Sequence, residues 1–277
     1  MSDIITYGEH PLQKIKVYSF STSIRYAVLF IHGGAWTDPR NTYDDFHDVI
    51  NRIKKKISSV VNIFGINYRL SPEVKHPFHL FDVVQAISLL ANYYHVEELL
   101  FVGHSVGATL MLQLLNPKAV LNVGFQILRS TKSLLDTDFP EAGQVSSVLE
   151  YYERIKFRAL FFLDGIYDVQ DLVREYPAYE SFVYKSFVSD LHIREGTPLS
   201  SLKTYRPFER ISLSYDHFVI VHSLEDELLS LRQTLALQKF LADKKQPFTL
   251  FVGNYGTHEE VYKNEYIGTI ILRILTK

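Results

Sequence analysis

Cysteine is missing altogether from this 277-residue chain. Its absence excludes disulfides, thiolate-bound metal and a cysteine nucleophile together, and it fits a reducing compartment. No excess charge of either sign is present: 29 Lys and Arg face 31 Asp and Glu, a net charge of −2. Such a balance offers nothing to attract nucleic acid or an anionic membrane. Apolar runs are strand-sized, like Ala27–Ile31, so no stretch reads as a transmembrane span. The N-terminal MSDIITYGEHPLQ has an early acid and no apolar core, so it does not read as a signal peptide, and the expected location is the cytoplasm. Tryptophan occurs once, at Trp36, against 18 tyrosines and 19 phenylalanines.

Short apolar runs alternate with helical periods. Strands are expected at Lys16–Phe20, Ala27–Ile31, Val61–Leu70, Leu99–Val102, Arg158–Gly165, His217–Ser223 and Phe248–Gly253. Helices are expected at Thr42–Ile57, whose Lys54, Lys55 and Lys56 suit a helix C-terminus, then from Pro77 to about Tyr94, after Gly107 through Leu115, from Ser230 to Ala242, and from Glu259 to Leu275. This rhythm implies an α/β fold: a mostly parallel central sheet with helices on both faces, forming one domain over 1–277. An insertion at about 166–215, after the strand at about 158–164, breaks the rhythm. It is rich in Tyr, Phe, Ser and Pro, which suits a lid or pocket wall, or a surface excursion packed on itself.

Gly103-His104-Ser105-Val106-Gly107 joins a strand to a helix. That is the setting of a nucleophile elbow, in which a sharp turn lifts a serine hydroxyl above the sheet and flanking glycines avoid clashes. Upstream, His32-Gly33-Gly34-Ala35-Trp36 ends another strand, and its paired glycines let backbone N–H groups approach an oxyanion. The candidate donors are the N–H groups of Gly34, Ala35 and Val106. His32 is read as a scaffold residue, and Trp36 as substrate-facing or loop-locking. A general base is expected after the last strand, where His258 stands at the start of the expected final helix. Glu225, Asp226 and Glu227 follow the preceding strand, 32 residues before His258 in the case of Asp226. Asp226 is preferred as the orienting acid for its short stem. Asp164, which also ends a strand, is its rival. The order Ser105, Asp226, His258 is that of α/β-hydrolases. No metal site is expected, because ligand spacings of the His-x-x-x-His kind and acid clusters are missing.

Taken together, IHGGAW (Ile31–Trp36), NYRLSPE (Asn67–Glu73), VGHSVGAT (Val102–Thr109), LDGIYD (Leu163–Asp168), VHSLEDELL (Val221–Leu229) and THEEVYKN (Thr257–Asn264) resemble the fungal kynurenine formamidases, from about residue 26 to 270. The resemblance implies an α/β-hydrolase that converts N-formyl-L-kynurenine to L-kynurenine and formate with a Ser-His-Asp triad and no cofactor, in tryptophan breakdown towards NAD. It also implies a homodimer. An aromatic formamide substrate makes Trp36 and Tyr167 candidate pocket residues, with Tyr176, Tyr179 and Phe182 nearby. Two other readings fit the same motifs: a carboxylesterase of the hormone-sensitive-lipase-like type, and a binding protein that has lost catalysis on the same fold.

Overall fold

In a computed structural model, residues 3–131, 138–202 and 218–275 are described. Strands β1 (Ile4–Thr6), β2 (Lys14–Ser19), β3 (Tyr26–Ile31), β4 (Asn62–Ile66), β5 (Glu98–His104), β6 (Lys156–Leu163), β7 (Phe218–Ser223) and β8 (Thr249–Gly253) form one sheet in the order β1-β2-β4-β3-β5-β6-β7-β8. From β4 to β8 every pairing is parallel, and only β1–β2 and β2–β4 are antiparallel. Crossover helices on both faces make the middles of the central strands continuous apolar runs. Alternation then divides each strand between two cores. Ala27, Leu29, Phe101, Leu160, Phe162 and Ile220 face one side, and Val28, Phe30, Val102, Phe161 and Val219 the other.

The second side is covered by α1 (His47–Ile57) and α11 (Glu265–Leu275), through Val49, Ile50, Ile53, Ile267 and Ile271. The first carries α2 (Phe78–Tyr93), α3 (Val106–Gln113), α4 (Pro117–Ser130), α5 (Ala142–Tyr152) and α10 (Leu231–Asp243). No helix among the described residues is long and apolar enough to cross a membrane.

The strand rhythm holds, with shifted boundaries. β4 stops at Ile66, where Asn67 turns out of the ladder and its side chain accepts from the Tyr43 N–H at 2.6 Å. α1 starts at His47, since the Asp45 carboxylate accepts from the Thr42 N–H and holds the preceding residues in a turn. α11 starts at Glu265, so His258 lies in a loop and a short 3₁₀ turn (Val261–Lys263) comes between them. β1, α4 and α5 are additional elements. The expected strand residue His217 lies outside the described residues.

The insertion after β6 folds as α6 (Val169–Glu175), a 3₁₀ turn (Pro177–Tyr179), α7 (Glu180–Ser186), α8 (Asp190–Gly196) and α9 (Pro198–Ser201). Residues 203–215 of it lie outside the described residues. It is fastened at two sides. Towards β7, the Tyr176 hydroxyl accepts from the Ser230 N–H at 3.0 Å, and Arg232 pairs with Asp171. Towards α2, the His76 N–H donates to the Ser186 carbonyl at 2.8 Å and Lys75 to the Lys185 carbonyl at 2.8 Å.

Beneath that second fastening lies a group of buried histidines. His76 stacks on Phe187 at 5.1 Å and lies 5.4 Å from His192, while His79 meets Ser71 Oγ at 3.1 Å. Burial lowers all three, His79 to about 3 and His192 to about 4, and it lowers His104 and His32 as well, His32 to about 4. These histidines are neutral in the fold but gain protons below about 6.5 once unfolded, so stability falls as pH drops from there towards the folded values. Asp45, raised to about 6 by burial, and Asp164, also raised by burial, act the other way, as does His258, which is raised. The histidines outnumber them, and each tenfold change in proton affinity is about 1.4 kcal/mol. Urea denaturation is therefore expected to show a loss of about 3 kcal/mol or more between pH 7 and pH 5; a flat profile would show that these rings titrate normally.

Backbone contact at the elbow gives a second expectation. A Cβ on Gly107 would come 2.1 Å from the Ile31 carbonyl oxygen, whereas one on Gly143 in α5 meets nothing within 4 Å. Gly107→Ala should cost about 3 kcal/mol, a fall in Tm of roughly 6–10 °C, and Gly143→Ala should be neutral or raise stability by up to about 0.5 kcal/mol. Differential scanning calorimetry of the pair checks this.

Candidate active site

All the sequence-predicted site residues lie at the C-terminal ends of the parallel strands. β5 delivers Ser105 at φ +52° and ψ −120°, as the residue before α3. An L-residue rarely holds this conformation; here the Ser105 N–H donates to the Leu163 carbonyl at 2.9 Å, which fixes the turn between β5 and β6. The turn has no room for a side chain at its glycines. A Cβ on Gly103 would sit 2.7 Å from the Gly107 carbonyl oxygen. The Ser105 side chain lies at the N-terminus of α3, where the helix dipole favours negative charge.

β3 delivers the paired glycines. A Cβ on Gly33 would lie 2.9 Å from Ser105 Cβ, so this loop runs directly against the elbow. Gly34, Ala35 and Trp36 all have positive φ (92°, 49° and 60°). That run tightens the loop so that the Thr37 and Asp38 N–H groups both donate to the Gly34 carbonyl. Among the described residues, the N–H groups of Gly34, Ala35 and Val106 donate to no protein acceptor. His32 is buried, stacked on Tyr68 at 4.4 Å, with Nδ1 3.0 Å from the Gly33 carbonyl, a scaffold position.

β8 delivers the loop that carries His258, and the loop after β7 grips it through three consecutive acids. Glu225 accepts from the Gly256 N–H at 2.8 Å, Asp226 Oδ2 lies 2.8 Å from His258 Nδ1, and Glu227 accepts from the His258 N–H at 3.0 Å. The other Asp226 oxygen accepts from the Leu228 and Leu229 N–H groups, both at 2.8 Å, which aims the carboxylate. Side chains of His258 and Asp226 are 4% and 0% exposed. Burial by itself lowers the His258 pKa, but the hydrogen bond and charge of Asp226, helped by Asp164 and Glu259, raise it above the ordinary 6.5. The His258 ring packs on His104 at 4.5 Å, and so stands beside the residue preceding Ser105.

Asp164 is placed elsewhere. It is fully buried and bonded to His222 Nδ1 at 3.0 Å and to the Ser223 N–H at 2.9 Å. Asp164, His222 and Asp226 do bring ligand-type atoms within 4.8 Å of one another, a grouping invisible to sequence spacing because it joins two strand ends. Each of the three already has a protein partner.

Trp36 is 1% exposed and packs edge-on against Phe187 at 5.5 Å, between the glycine loop and the insertion. Tyr167 is 0% exposed and sits against Phe162 and Gly165, within the core. Tyr176, Tyr179 and Phe182 keep half-buried rings.

Sequence reasoning missed Asn41. This buried residue lies against Gly34, where a Cβ would come 2.9 Å from Asn41 Oδ1, and its amide donates to Asp45 at 2.9 Å and to Glu259 at 3.1 Å. Glu259 also accepts from the Tyr262 hydroxyl at 2.5 Å, and Tyr262 packs on His104 at 4.8 Å. Asn41 thus joins the glycine loop to the histidine loop. Only the short Asn41-x-x-x-Asp45 spacing hinted at it.

The BD-FAE family model matches residues 19–241. Solved structures with the same fold include an acetyl ester-xyloside bifunctional hydrolase from Caldicellulosiruptor lactoaceticus (TM-score 0.61, 14% identity, covering 99% of this chain and 95% of that one) and esterase B from Lactobacillus rhamnosis (TM-score 0.66, 16% identity, 99% and 83%). At such identity they show the α/β-hydrolase fold alone. Curated relatives are nearer. A kynurenine formamidase from Debaryomyces hansenii is 43% identical over 97% of this chain and 98% of its own, and that of Saccharomyces cerevisiae is 36% identical over 91% and 89%. With such identity sustained along nearly the full length of both chains, on the fold the strands build, this chain belongs to the kynurenine formamidase family of α/β-hydrolases.

Proposed function

We propose that the protein hydrolyses N-formyl-L-kynurenine to L-kynurenine and formate, with Ser105 as nucleophile, His258 as base and acid, and Asp226 as the orienting acid. The observation that carries this reading is the grip of Asp226 on His258 Nδ1 at 2.8 Å, beside an elbow that holds Ser105 at φ +52°. With Nδ1 bonded to the carboxylate, Nε2 is left to take the Ser105 proton. The Ser105 oxygen attacks the formyl carbon, and negative charge moves to the formyl oxygen. Backbone N–H groups of Gly34, Ala35 and Val106 are its stabilisers, each worth roughly 3–4 kcal/mol in such sites. The imidazolium then protonates the departing aryl amine, which leaves as L-kynurenine. Water, deprotonated by His258, releases formate from the formyl-serine. The insertion after β6 acts in this reading as a lid on one domain.

Family membership favours the formamidase over a plain carboxylesterase. Turnover of N-formyl-L-kynurenine compared with p-nitrophenyl acetate tests it, and ester hydrolysis without formamidase activity would overturn the substrate.

Ser105→Ala should abolish turnover and leave the thermal transition in place; residual activity above about one part in a thousand would remove Ser105 from its role. Asp226→Asn should lower kcat by roughly 10³–10⁴, while Asp164→Asn should cost far less; the reverse order would make Asp164 the orienting acid. Because His258 must be neutral to accept the proton, kcat/KM should rise with pH through a value above 6.5, and Asp226→Asn should move that limb to lower pH.

A further inference from the structure

The insertion and Trp36 together form a row of aromatic rings that no part of the mechanism uses. Tyr176 stacks on Tyr179 at 4.9 Å, Tyr179 meets Phe182 at 5.1 Å, Phe182 meets Trp36 at 6.4 Å, and Trp36 meets Phe187 at 5.5 Å. Two of its rings are anchored to catalytic loops. At one, the Tyr179 hydroxyl donates to the Leu228 carbonyl at 2.8 Å, and the Leu228 N–H is itself held by Asp226. At the other, Trp36 directly follows Ala35 in the glycine loop.

The sheet order fixes where the row runs. The glycine loop follows β3 and the acid loop follows β7, and between them the order is β3-β5-β6-β7. A row of rings from one loop to the other therefore spans the C-terminal side of β5 and β6, the strand end from which Ser105 follows. Trp36 is sealed, but Tyr179 and Phe182 are only half-buried, so this stretch of the row keeps uncovered aromatic surface.

We propose that Tyr179 and Phe182 form the platform on which the aryl group of the leaving amine stacks, and so set the preference of the site for aromatic over aliphatic leaving groups. This rests on the formamidase reading for its natural substrate, but the preference itself is measurable without it. A ring held between fixed aromatic neighbours gains from offset or edge contacts beyond simple burial. Fixing the Tyr179 hydroxyl on Leu228 also ties ring position to the acid loop, so the platform and Asp226 share one scaffold.

Phenyl formate and ethyl formate present the same acyl group with an aromatic and an aliphatic leaving group. The ratio of their kcat/KM values, measured in the full-length protein, isolates the platform from the chemistry. In Phe182→Ala and Phe182→Leu that ratio should fall about tenfold relative to the unmodified protein; Phe182→Tyr should restore it, and Tyr179→Phe should retain most of it. KM for N-formyl-L-kynurenine should rise by about the same factor in Phe182→Leu. A ratio unchanged in Phe182→Leu, or rates on both formates falling in step, overturns the platform. A protein that keeps the aryl preference and loses it in Phe182→Leu, yet never hydrolyses N-formyl-L-kynurenine, overturns the substrate and leaves the platform standing.

Discussion

Backbone packed directly against backbone is the constraint on which this molecule depends. Where the ends of β3 and β5 meet, neither glycine has space for a side chain: Gly107 lies against the Ile31 and His32 carbonyls, and Gly33 against Ser105 Cβ and the His104 carbonyl. Such proximity sets the glycine loop, with its free N–H groups, directly against the elbow, as the proposed oxyanion site requires. It also makes the site an outgrowth of the core. Any slippage between β3 and β5 moves Ser105 and the glycine loop apart, so the parallel ladder from Tyr26 to Ile31 sets the geometry on which the proposed chemistry depends as well as that of the fold.

The histidine is held differently. It arrives on a loop and takes its position from carboxylates, with Glu225 and Glu227 on the backbone and Asp226 on the ring. Adjacent acids in a loop would be expected to repel, but each has a separate donor, and backbone N–H groups receive charge without carrying any. Asn41 completes the arrangement from the glycine side through Asp45 and Glu259. The β3 loop, the elbow and the β8 loop thereby become one unit.

Much of this is legible in the sequence because it is periodic or local. Two-sided burial makes the central strands continuous apolar runs, and the elbow must place its glycines two residues either side of Ser105. Order along the chain then points to Asp226 and His258. What escapes is long-range. Asn41 and Glu259 are 218 positions apart, and nothing near either one announces the other. Asp164 reads as a rival to Asp226, and nothing in the sequence shows its pairing with His222, which is made by register between β6 and β7. The final helix reads as starting at Glu259 because the 3₁₀ turn at Val261–Lys263 continues the helical spacing, although backbone hydrogen bonding is interrupted before Glu265. Tyr167 reads as a pocket residue from its aromatic neighbourhood; only packing shows it lodged against Phe162.

The single tryptophan has one more consequence. Trp36 is sealed between the glycine loop and the insertion, touching Phe182 and Phe187. The intrinsic indole emission of the whole chain therefore arises at one place, where the glycine loop meets the insertion. Nature has installed a lone fluorophore at that junction, and its colour and intensity register the hydration of the junction with no contribution from any other tryptophan.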